Sequence, residues 1–125
     1  MEVLEIRTTK RVEVVDITDK VEKLAGGEAV LVYTPHTTTA IVLNEAESGL
    51  LKDLLNFLEK LVPSGEYYEH NRIDDNADAH IRASILGNSV LIPVFNGKLA
   101  LGTWQRILFL EFDGPRSRKI FIKKL

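Results

Sequence analysis

Cysteine is absent from this chain, which removes disulfides, thiolate metal sites and thiol nucleophiles together. Methionine and tryptophan occur once each, and glutamine only as Gln105. So sparse a use of thermolabile residues is found in thermophile proteins. A basic excess is also lacking. The formal charge is −2, so neither nucleic acid nor an anionic membrane is an expected electrostatic partner. Long hydrophobic runs are missing: Lys52 and Asp53 break one apolar stretch, and Val90–Phe95 is short. No segment is expected to span a bilayer, and no hydrophobic leader follows Met1-Glu2, so the expected location is the cytoplasm. There is no phosphate-cradling glycine loop, dinucleotide fingerprint, HExxH or GxSxG. A serine triad and a nucleotide-driven motor therefore have no footing.

What is present describes an ordinary globular chain. With 125 residues, 45% of them hydrophobic and 27% charged, residues 1–125 are expected to form one domain with one proper core. Val3–Ile6 and Val12–Ile17 flank a polar bend and predict a β-hairpin. Asp19 with Glu22 resembles a capping box for a brief helix that Gly26-Gly27 stops. Ala29–Tyr33 is nearly all apolar, which predicts a strand buried on both faces. Pro35 disturbs pairing, and Thr37–Leu43 resumes strand composition.

Leucines at helical spacing from Leu50 to Leu61 predict a helix over 48–62, ended by Pro63-Ser64-Gly65. A second helix follows the polar stretch Tyr67–His80, with Asp75 or Asn76 as cap and Gly87 at its end. From Ser89 onward the chain reads as β: Val90–Phe95, the Asn96-Gly97 hairpin turn, Lys98–Leu101, Thr103–Phe112 and Arg118–Lys124. The expected class is α+β, a mostly antiparallel, sandwich-like sheet with two main helices.

Polar chemistry concentrates in Tyr67–His80, which holds two of the three histidines, His70 and His80. His36 lies at the strand break. Open zinc sites commonly take three ligands from histidine and carboxylate. The spacing of these three matches no local metal motif, so a shared site and three unrelated histidines both stay open. Asp74, Asp75 and Asp78 could serve acid–base chemistry or a hard cation such as Mg²⁺. At a helix start, however, Asp75 and Asp78 have a simpler role with the dipole. Thr37, Thr38 and Thr39 could offer hydroxyls to an anion or simply suit a strand. Glu45 beside Asn44 ends a buried strand in a polar pair. Gly102 within a strand run marks a bulge or a close approach, and Gln105 is polar in an apolar strand. Arg116 and Arg118 flank a turn and could grip phosphate or face solvent.

Taken in order, HTTTAIVLNE (36–45), YEHN (68–71), NADAHIRASILGNS (76–89), LGTWQRI (101–107) and DGPRSR (113–118) closely resemble the YjbQ family, described as secondary thiamine-phosphate synthases. The likeness covers essentially the whole chain. It implies a compact α+β fold assembled as a homotrimer, with His36, His70 and His80 clustered in a pocket near subunit contacts. It also implies a divalent metal there, zinc by the histidine cluster or Mg²⁺ with a phosphorylated substrate. Asn44 and Glu45 match the family's NE pair, Gln105 its TWQ glutamine, and Arg116 and Arg118 its GPR-x-R segment.

The role assignment that follows gives His36, His70 and His80 to the metal and to catalysis, and Glu45 to assistance, either supporting the metal ligands or acting as base. Thr37, Thr38, Asn44, Gln105, Arg116 and Arg118 would contact a small-molecule substrate. Thiamine-phosphate synthases of the main type are (β/α)₈ barrels of roughly 200 residues or more. A chain this short must use another scaffold. A metal-assisted hydrolase and a non-catalytic ligand-binding trimer are the alternative readings.

Overall fold

Alternating burial along the strands builds two antiparallel sheets stacked face to face. The computed structural model describes residues 1–125. The strands are β1 (Glu2–Arg7), β2 (Glu13–Asp16), β3 (Ala29–Tyr33), β4 (Thr39–Asn44), β5 (Ser89–Phe95), β6 (Lys98–Leu99), β7 (Arg106–Glu111) and β8 (Ser117–Lys124). Helices α1 (Thr18–Glu22), α2 (Ser48–Leu61) and α3 (Ala77–Leu86) and a 3-10 turn (Glu69–Arg72) complete the chain. The larger sheet has the order β1-β8-β3-β5-β6 and the smaller β2-β7-β4. All pairings are antiparallel, as the α+β expectation required.

β7 is the spine of the core. Its period of two sends Ile107 and Phe109 toward the larger sheet, where they meet Val30, Val32, Ile92, Ile120 and Ile122. Leu108 and Leu110 point the other way, into a second cluster with Ala40, Leu58, Ala79 and Ala83. The layers are therefore sheet, sheet, helices. The outer face of the larger sheet has no layer over it, and Leu91 and Phe95 stay 60% and 72% exposed there.

Several local expectations are corrected. The N-terminal strands are not a hairpin: β1 pairs with β8 and β2 with β7, in different sheets. Thr8 prolongs the β1–β8 ladder through its N–H to the Arg116 carbonyl, and by Arg11, whose carbonyl accepts from Gly114, the chain has crossed. The Asp19–Glu22 capping box does not form. Asp19 pairs with Arg106, Glu22 accepts from the Leu99 amide, and Asp16 accepts from the Thr18 amide at the helix start.

β3 buries only Val30 and Val32, because its other face belongs to the uncovered side of the sheet. Asp75 does not cap α3; the Asn71 side chain accepts from the Ala77 amide instead, at 3.0 Å. Asp78 is buried and paired with Arg11. Burial pushes its carboxyl up, but the Arg11 hydrogen bond and charge, helped by Ser64 and Arg82, hold it below the usual carboxylate range. Gly102–Gln105 lies outside β7 in a turn, closed by the Gly102 amide donating to the Gln105 side chain at 2.8 Å.

Candidate functional site

Three crossings between the sheets fall at one end of the sandwich: β1 to β2 through Thr8–Val12, β3 to β4 through Thr34–Thr38, and β7 to β8 through Phe112–Arg116. A crossing breaks the ladders and leaves backbone groups that other partners must satisfy. Thr34 and Thr39 share a buried hydroxyl–hydroxyl hydrogen bond of 2.8 Å, which fixes the loop carrying His36. Phe112 N–H donates to the Thr38 carbonyl, and Arg116 N–H donates to the Thr8 hydroxyl.

Beneath these crossings sits a buried ion pair that the sequence reading missed in half. Glu111, with no exposed surface, accepts from Arg118 Nε at 2.8 Å and from Nη2 at 2.5 Å. It also accepts from the Thr8 hydroxyl and the Asp113 amide. Arg118 Nη2 donates further to the Thr38 hydroxyl at 2.9 Å, and its remaining terminal nitrogen makes no hydrogen bond within the chain. The signal for Glu111 was available: a lone acid closing the apolar run ILFLE, opposite an arginine-bearing strand.

A polar cavity of about 390 Å³ opens here, lined by His36, Thr37, Thr38, His80, Arg116 and Arg118 together with Asp74, Asn76 and Asp113. His36 and His80 also line an adjoining cleft of about 480 Å³ with Thr34, Thr39, Ser84 and Asn88. His70 lies beside His80, their rings edge to face with centroids 4.8 Å apart. Arg116 is tied to Asp113 through the backbone carbonyl at 2.8 Å and the carboxylate at 3.1 Å. His36 Nε2 accepts from the Lys119 amide at 2.9 Å. Burial first, and the neighbouring Arg118 charge second, pull the His36 pKa below 6.5.

Other residues read as one site are elsewhere. Asn44 and Glu45 stand at the far end of β4, with Gln105 and the exposed Trp104 around a separate cleft. Five strand steps from Thr39 to Asn44 separate the two ends by roughly 17 Å. Within one chain, Glu45, Asn44 and Gln105 do not reach the histidines.

The donor chemistry bears on a metal. No three His, Asp or Glu side chains of the chain are disposed to hold one. His70 and His80, with ring centroids 4.8 Å apart, are the neighbouring pair that could supply two nitrogen ligands. His36 stands apart from such a set, because the Lys119 amide already occupies its Nε2 lone pair.

The fold that carries this cavity is shared with solved structures. A hypothetical protein of Aeropyrum pernix K1 superposes with a TM-score of 0.94 at 43% identity, covering 100% of this chain and 98% of that one. An uncharacterised conserved protein of Clostridium acetobutylicum gives 0.94 at 40% identity, with both chains fully covered. Among sequences, a UPF0047 protein of Archaeoglobus fulgidus is 64% identical over 124 residues, 98% of each chain. The Bacillus subtilis UPF0047 protein YugU is 42% identical, spanning 100% of this chain and 98% of its own. The family model described as UPF0047 protein YjbQ-like matches residues 2–125. The chain belongs to that YjbQ/UPF0047 family, and no helix in it is long and apolar enough to cross a membrane.

Proposed function

We propose that the crossing-end cavity binds the phosphate of a small phosphorylated substrate. The protein is then a divalent-metal-dependent transferase with thiamine-phosphate synthase activity at least as a side reaction, working in the cytoplasm as a homotrimer. The observation that carries this reading is Arg118: buried, held rigid by Glu111, bordering the cavity, and with one terminal nitrogen unclaimed. A fixed guanidinium beside Arg116 and the Thr37 hydroxyl is a ready anion grip.

The reaction would join a pyrimidine diphosphate to a thiazole phosphate and expel pyrophosphate. Neutralising charge on the leaving group matters more there than a nucleophilic side chain. His70 and His80 would hold zinc, whereas Mg²⁺ would be carried by oxygen donors, chiefly the substrate phosphates; either metal would supply Lewis-acid neutralisation of the phosphate oxygens. Arg116 and Arg118 would orient the phosphate, and His36 would donate a hydrogen bond to it.

The homotrimer reading gives the distant residues a place. Glu45, Asn44 and Gln105 would meet the histidine cavity only if a neighbouring copy brought them, with Glu45 then available as base. The uncovered face of the larger sheet also favours association.

The test is metal analysis of purified protein followed by a thiamine-phosphate assay, comparing wild type with His70→Ala. Loss of metal and turnover together supports the reading, and loss of metal with full turnover refutes it. Release of phosphate from the pyrimidine diphosphate without the thiazole partner would replace the transferase by a metal-assisted hydrolase.

A further inference from the structure

The hydrogen bonds around His36 and His70 determine which nitrogen of each ring carries the proton. Asn76 Nδ2 donates to the Asp113 carboxylate at 2.9 Å. A carboxylate only accepts, so the amide cannot be turned round, and its oxygen must be the atom 3.0 Å from His70 Nε2. That oxygen also only accepts, so His70 Nε2 bears the hydrogen and Nδ1 is bare. Asp113 is in turn held by Arg116. At His36 the order is reversed: the Lys119 amide donates to Nε2, so Nε2 is bare and Nδ1 bears the hydrogen.

We propose that the Asp113–Asn76 pair is a positioning device that sets His70 as an acceptor through Nδ1, while the Lys119 amide sets His36 as a donor through Nδ1. The crossing end thus carries two imidazoles of opposite polarity, His36 lining the cavity and His70 against the cavity-lining His80. His36 serves an anionic oxygen; His70, beside His80, serves a cation. Asn76 and Asp113 gain a role that neither their position at a helix start nor their turn composition suggested. A ligand's other ring nitrogen is commonly fixed this way, and losing the outer partner typically weakens metal affinity about 10–100-fold. What the two Nδ1 atoms meet rests on the phosphate-and-metal reading above, whereas the tautomers are testable without any ligand.

The test uses ¹⁵N-labelled full-length protein near pH 8 and long-range ¹H–¹⁵N correlations of the rings. Expected are an Nδ1–H tautomer for His36, the less common form of free imidazole, and a slowly exchanging Nε2–H on His70 that Asn76→Ala abolishes. An Nε2–H on His36, or a His70 signal unmoved by Asn76→Ala, overturns the assignment. Zinc titration by calorimetry is the second readout. Asn76→Ala should weaken zinc binding about 10–100-fold, as should Asp113→Ala. A loss on His36→Ala equal to that on His70→Ala would make His36 a ligand and overturn its donor role. Zinc failing to bind at all, with both tautomers as stated, overturns the metal reading and leaves the positioning assignment standing.

Discussion

Glu111→Gln removes one charge and almost no volume from the centre of the crossing end. The carboxylate accepts four hydrogen bonds, from Arg118 Nε and Nη2, the Thr8 hydroxyl and the Asp113 amide. A glutamine offers one oxygen in place of two and turns an NH₂ toward a donor. Arg118 is then a buried cation without its counter-charge. Breaking a buried pair by removing one partner costs about 3–5 kcal/mol. Against a total of roughly 5–15 kcal/mol for a domain, that is a large share.

The assay is urea unfolding followed by far-ultraviolet circular dichroism. The midpoint should fall with m unchanged, since the same surface is exposed on unfolding. A loss below about 1 kcal/mol, the range of exposed pairs, would refute the view that this pair anchors the crossings. The same variant bears on binding. An Arg118 released from Glu111 no longer holds its nitrogen at a fixed place, so pyrophosphate affinity should fall although a negative charge has been removed. Tighter binding would show that charge alone governs the cavity.

Three other outcomes are expected. His36 is held below its ordinary value, so in the window under pH 6.5 the unfolded chain binds a proton that the folded chain refuses. Stability contributed by neutral His36 is complete above pH 6.5 and lost as pH falls from there, and the loss should shrink in His36→Gln by denaturation across pH 5–8. Trp104, the single tryptophan and 71% exposed in one chain, reports on assembly. If a neighbouring copy covers the Glu45 end, its emission is blue-shifted and shielded from acrylamide in the oligomer, whereas a free-indole response places any association elsewhere. Phe109→Ala empties the fully buried centre of the sandwich and should cost about 3–5 kcal/mol by calorimetry.

Period-two and helical patterns carried most of the fold. β3, β5, β8 and α2 fall close to where composition placed them, and Asn96-Gly97 forms its hairpin with positive φ at both residues. The errors share a cause: local sequence does not say which sheet a strand joins. Val3–Ile6 and Val12–Ile17 look like two arms of one hairpin, yet a crossing at Thr8–Arg11 sends them to different sheets. The GTWQ turn was hidden because threonine and tryptophan favour strands, whereas a backbone bond from the Gln105 amide to the Gly102 carbonyl and the return bond from the Gly102 amide to the Gln105 side chain close a turn before β7. For the site, residue types with chemistry were legible, and their distances were not. His36, His80, Arg116 and Arg118 border one cavity, while Glu45 and Gln105 lie a strand's length away. Asn76 and Asp113 act through hydrogen bonds across the fold, which no spacing rule detects.

Two buried arginines now separate by physical criterion. Arg82 lies between α2 and α3: its Nε donates to the Val62 carbonyl at 3.1 Å, it pairs with Glu59, and it sits over the Phe112 ring at 6.0 Å. Arg118 is about as buried, but its surroundings are the three crossings and the cavity. A buried ion pair is weak ground for stability, since well-packed apolar residues of similar volume are often neutral or better. Stability alone therefore does not require an arginine at 118. The double change Arg118→Met with Glu111→Leu removes both charges and leaves neither unpaired, so the cost is chiefly the lost acceptor of the Asp113 amide, about 1–3 kcal/mol and less than that of Glu111→Gln alone. Pyrophosphate binding should nevertheless be lost. Retained binding in that folded variant would move the anion site off Arg118 and onto Arg116 and Thr37 alone.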